Sequence, residues 1–95
     1  MEHTFDDRRC AEHLAGMVRF PTVSHYHERD MDFSAFEGLR RYLEETYPLT
    51  HRHLSREIVG TAGLLFHWKG TGASGCPPLV LMAHQDVVPD RKSVG

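Results

Sequence analysis

Pro78-Leu79-Val80-Leu81-Met82-Ala83-His84-Gln85-Asp86-Val87-Val88-Pro89 joins an unbroken apolar run to two polar residues able to do chemistry. Leu79 to Ala83 is too short for an ordinary helix and follows two prolines, so it predicts a strand covered on both faces and central in its sheet. Open α/β sheets place their ligand-binding groups at the carboxyl edge of such strands, and His84 and Asp86 stand there. Alternate residues of an extended segment project to one side. The carboxylate can therefore hold one ring nitrogen while the other faces a metal or a substrate.

The pair alone is a weak signal. With 8 histidines and 6 aspartates in 95 residues, His-x-Asp is expected by chance about 0.5 times. The strand leading into the pair and the Val-Val-Pro that closes it carry the functional reading. The competing reading is a surface histidine beside a loop aspartate.

Ninety-five residues allow one small domain with a modest core. A charged fraction of 25% and a net charge of −2 give no electrostatic reason to expect nucleic acid or an anionic membrane as partner. No stretch has the length of a membrane span, and Met1-Glu2-His3-Thr4 lacks the pattern of a signal peptide, so a cytoplasmic location is expected. Cys10 and Cys76 lack Cys-x-x-Cys spacing and predict a core residue and a loop residue rather than a disulfide or a zinc pair.

Upstream, Thr4 and Asp7 have capping-box spacing and predict a helix start. Cys10, Leu14, Met17 and Val18 then fall on one face, which is expected to cover a sheet. Pro21 ends this helix near Phe20 and makes Pro21 to Ser24 an extended connector. His25 and His27 sit two apart in a polar loop with no element to fix either ring, so a solvated loop is preferred over a metal site. A second helix begins between Asp32 and Ser34, with Ser34 and Glu37 at capping-box spacing, and its stripe is Phe36, Leu39, Leu43 and Tyr47. Pro48 is expected to stop it. Leu54 to Val59 and Leu64 to Lys69, joined by Gly60-Thr61-Ala62-Gly63, predict a hairpin with Trp68 burying its ring and His67 on the opposite face. His51, His53 and His67 read as exposed or satisfied histidines rather than ligands. Gly70 to Gly75 lacks the Gly-Lys-Ser/Thr ending of a phosphate cradle and reads as a flexible loop.

Leu81-Met82-Ala83-His84-Gln85-Asp86-Val87-Val88-Pro89 resembles the first metal motif of the zinc-dependent aminoacylase and carboxypeptidase family, and most closely its carboxypeptidase S branch. Phe20-Pro21-Thr22-Val23-Ser24, Phe36 to Leu49, Glu57-Ile58-Val59 and Leu64 to Gly70 resemble that branch in the same order. The resemblance implies an α/β fold, helices packed on a mixed β-sheet. It implies a two-zinc hydrolase that cleaves an amide or peptide bond next to a free carboxylate, acting on a small peptide or an N-acyl amino acid; a homodimer is compatible with the complete protein, but the sequence does not decide it. His84 matches a zinc-binding histidine, and Asp86 the carboxylate that orients it and counts as an active-site residue. The family's bridging aspartate, general-base glutamate, further acidic ligand and final histidine would lie beyond Gly95. Residues 1–89 thus read as an incomplete N-terminal portion of a catalytic domain, inert by itself, and 90–95 depart from the family and read as a non-native tail. The alternative is a small non-catalytic α/β module for binding or subunit contact.

Overall fold

The computed structural model describes residues 5–72 and 75–89. Helix α1 spans Asp7–Val18, with Asp6 as its N-cap: Asp6 Oδ1 accepts the Arg9 N–H at 3.1 Å. Thr4, placed in the predicted capping box, lies outside the described residues. An aspartate one residue before the first turn satisfies an orphan amide and favours the positive end of the helix dipole.

Helix α2 spans Phe33–Thr46 and is capped by Asp32 rather than Ser34. Asp32 Oδ1 accepts the Ser34 N–H at 3.0 Å and the Ser34 hydroxyl as well. Ala35, Phe36 and Leu39 of α2 are buried and form the core. Burying a Phe or Leu side chain is worth roughly 1.5 to 3 kcal/mol, so the predicted stripe does organise the fold. α1 packs on α2 and not on the sheet, which corrects the expectation for its apolar face. Leu14 and Val18 remain exposed, and so does Cys10, read above as a core residue. The two helices approach closely at Gly16: a Cβ there would lie 2.0 Å from the Tyr42 hydroxyl, which donates to the His13 carbonyl at 3.2 Å. Phe20, just past α1, packs on Gly38 and on the Tyr42 ring.

Pro48 does not simply stop α2. It occupies the first turn of a short third helix, α3 (Pro48–His53), where a missing N–H costs nothing and a fixed φ helps. α3 packs against α2 and against β1 (Ser55–Val59), which pairs antiparallel with β2 (Gly63–His67) in the register Ser55–His67 to Val59–Gly63. Gly60 turns the chain with φ +66°, a left-handed conformation open to glycine. The His51 ring of α3 meets Phe66 of β2 edge-on at 5.3 Å, and Arg56 of β1 pairs with Glu44 of α2. The architecture is therefore α/β, with helices packed against a small two-stranded sheet that is antiparallel rather than mixed among the described residues; Val23 and Val87 form an isolated parallel bridge outside it.

Two expectations about the hydrophobic stretches are corrected. Leu79 to Ala83 is not a buried central strand: no described strand lies beside it, and its side chains are exposed, Met82 to 90%. A run of this kind is buried only when strands flank it and helices cover both faces, and the described residues supply neither. Trp68 follows the end of β2 and is 79% exposed rather than buried, lying beyond the contact that Phe66 makes with His51 of α3.

Candidate functional site

The candidate site is the segment from His84 to Val87, and its backbone is set by the connector after α1. Thr22 is the one buried polar residue among the described residues, at 2% exposure. Its hydroxyl donates to the Gln85 carbonyl at 2.7 Å, and its own carbonyl accepts the Val87 N–H at 2.8 Å. The Val87 carbonyl accepts the Ser24 N–H at 2.8 Å, completing the parallel bridge. Gln85 reaches the other way, its side-chain amide donating to the Ala62 carbonyl in the hairpin turn at 2.6 Å. That turn is tied further by Thr61, whose hydroxyl donates to Glu28 at 3.0 Å. The connector grips the segment on one side and the hairpin turn on the other.

Within this frame the two predicted site residues meet. His84 Nδ1 lies 2.9 Å from the Asp86 backbone carbonyl oxygen and 3.2 Å from Asp86 Oδ1. The carbonyl can only accept, so the neutral ring that makes this bond carries its proton on Nδ1 and its lone pair on Nε2. Nε2 has no hydrogen-bond partner among the described residues, and the imidazole is 83% exposed against 43% for the Asp86 side chain. A histidine held in this way at one nitrogen presents the other as a metal ligand. Zinc bound by nitrogen and oxygen ligands is usually four-coordinate, and His84 fits one such position. Among the described residues, no group of three or more His, Cys, Asp or Glu converges to fill the others.

The other histidines lie elsewhere. His25 and His27 are exposed in the loop, beside a short 3-10 turn at Glu28–Asp30. His53 and His67 are exposed, and His13 lies between α1 and α2 with Nδ1 3.1 Å from the Tyr47 hydroxyl. His51 is half-buried, its Nδ1 2.9 Å from the Tyr47 carbonyl. Beside it, the Arg56 guanidinium donates to Glu44 and holds that carboxyl below its usual range. Of Gly70 to Gly75, residues 73 and 74 lie outside the described residues, and the described glycines of that stretch are exposed. Sequence reasoning missed Thr22, which it treated as part of a connector. The available signal was a threonine between Pro21 and Val23, inside a short motif with no other polar side chain before Ser24.

Carboxypeptidase S of Saccharomyces cerevisiae is 45% identical to this chain over 83 residues, which is 82% of the chain and 14% of the relative. An uncharacterized carboxypeptidase of Schizosaccharomyces pombe is 38% identical over 77 residues, 77% of the chain and 13% of that protein. The N-fatty-acyl-amino acid synthase/hydrolase PM20D1 of Bos taurus is 32% identical over 80 residues, 82% of the chain and 16% of the relative. No family model matches the chain, and no solved structure does. The chain belongs to the aminoacylase and carboxypeptidase family. It spans about 15% of the length of the curated relatives it matches.

Proposed function

We propose that this chain is the first part of the catalytic domain of a zinc-dependent hydrolase that cleaves amide or peptide bonds next to a free carboxylate, its substrates small peptides or N-acyl amino acids. The observation that carries the reading is the His84–Asp86 pair. Nδ1 lies 2.9 Å from the Asp86 backbone carbonyl oxygen and 3.2 Å from Asp86 Oδ1, and Nε2 is left toward solvent. Relatives named as a carboxypeptidase and as an N-fatty-acyl-amino acid synthase/hydrolase support the bond type. His84 is the ligand in this reading, and Asp86 fixes its tautomer and raises its basicity. Zinc, when bound, polarises the scissile carbonyl as a Lewis acid. The pair supplies one ligand and its support, so the 95-residue chain alone is inert and binds zinc no better than an exposed histidine does.

The test is a gene extended to the length of the relatives. Its product should hydrolyse an N-acyl amino acid or a dipeptide, lose that activity to a chelator and regain it with zinc. A product that folds, dimerises and has no chelator-sensitive hydrolysis would favour the non-catalytic module instead.

A further inference from the structure

We propose that Thr22 is a positioning residue for the His84–Asp86 pair. This rests on the functional reading above but is argued from hydrogen-bond geometry. Two peptide planes flank the Asp86 Cα, and Thr22 holds both. The Thr22 hydroxyl donates to the Gln85 carbonyl at 2.7 Å and so fixes the plane before Asp86; the Thr22 carbonyl accepts the Val87 N–H at 2.8 Å and so fixes the plane after it. In a trans peptide the C=O points opposite to the N–H. With the Val87 N–H turned toward Thr22, the Asp86 carbonyl is turned away from it, and its oxygen meets His84 Nδ1 at 2.9 Å. The same two planes set the direction of the Asp86 side chain, whose Oδ1 lies 3.2 Å from that nitrogen. One buried residue thereby dictates which ring nitrogen of His84 carries the proton. Its burial keeps water from replacing the hydroxyl at the Gln85 carbonyl.

The main chain of any residue could accept from Val87, but the bond to the Gln85 carbonyl needs a hydroxyl. Thr22→Val keeps the shape and the main-chain acceptor but removes the hydroxyl tie that holds Gln85 in place, so the bridge to Val87 is weakened, whereas Thr22→Ser keeps the donor. The experiment uses the 95-residue chain with ¹⁵N-labelled histidine, below the onset of association and in the pH range where the ring nitrogen shifts of His84 no longer change with pH. Ring nitrogen shifts report the His84 tautomer, and amide exchange is followed at Val87 and at Leu39 and Leu43 of α2. In the parent chain and in Thr22→Ser, His84 should be predominantly Nδ1-protonated. In Thr22→Val it should drift toward the tautomer mixture of an exposed histidine, with exchange at Val87 faster by about 10-fold and α2 unchanged. An unchanged tautomer in Thr22→Val would overturn the proposal. Loss of α2 protection alongside the tautomer would overturn it too, since Thr22 would then support the whole fold. The readout needs neither zinc nor substrate, so it can fail while His84 remains a ligand. The ligand role is tested separately by the zinc content of the extended protein.

Discussion

The Thr22 hydroxyl and the Gln85 carbonyl meet at 2.7 Å across 63 residues of sequence, and Gln85 passes the connection on to the hairpin turn through Ala62. The segment carrying His84 and Asp86 is therefore held from two sides, although no strand among the described residues flanks the apolar run before it. Gln85→Ala removes one of these ties and leaves the other. It should cost about 0.5 to 1.5 kcal/mol in denaturant unfolding, the usual net worth of one hydrogen bond, and should raise exchange in the hairpin turn. A variant indistinguishable from the parent in both measurements would show that the bond to Ala62 contributes nothing.

Acid should weaken the fold through two carboxylates. Asp32 is held below its ordinary value of 3.8 by bonds from the Ser34 hydroxyl and amide, and Glu44 below 4.5 by the bond from Arg56. A group whose value is depressed on folding contributes fully above its unfolded value, and that contribution is lost as pH falls through the lower folded one. Unfolding midpoints should therefore be steady above about pH 5 and decline below it, modestly, since both groups are solvent-screened. Glu44→Gln and Asp32→Asn should each flatten the decline. Acid limbs as steep as the parent's in both variants would remove these two groups from the account.

The exposed run Leu79, Val80, Leu81 and Met82 should make the chain associate. An unpaired extended segment offers free backbone donors and acceptors together with an apolar face, which favours strand addition by a second copy. Sedimentation should show concentration-dependent oligomers, and Leu81→Lys should reduce them by placing a charge on that segment. A monomer that unfolds cooperatively at all concentrations tested would contradict this.

Local patterns in the sequence were sufficient for α1, α2 and the hairpin, because a helix stripe and a glycine-bearing turn are written in neighbouring residues. The caps were misplaced where two short polar residues competed, as with Asp32 and Ser34, and the hydroxyl of the second in fact donates to the first. α3 was missed because Pro48 was read as a stop, although the same residue suits a first helical turn. The burial of Leu79 to Ala83 and of Trp68 was misread because burial depends on which elements lie alongside, which no local pattern states. The His84–Asp86 contact was legible from its spacing of two. Thr22 was not, since its role comes from a contact far away in sequence.

In the proposed function His84 is a metal ligand whose other nitrogen is held by Asp86. The most direct measurement of this is the zinc content of the protein extended to the length of its relatives, for the parent, His84→Ala and Asp86→Asn, with hydrolysis of an N-acyl amino acid or dipeptide assayed alongside. His84→Ala should lose one zinc and nearly all hydrolysis, because ligand loss removes both the metal and its effect on the reacting groups. Asp86→Asn keeps the size of the side chain but not its charge, and should lose about 10 to 100-fold in metal affinity or activity while retaining much of its zinc under metal excess. Full zinc content and full activity in both variants would contradict the account and leave the pair as a surface histidine beside a loop aspartate.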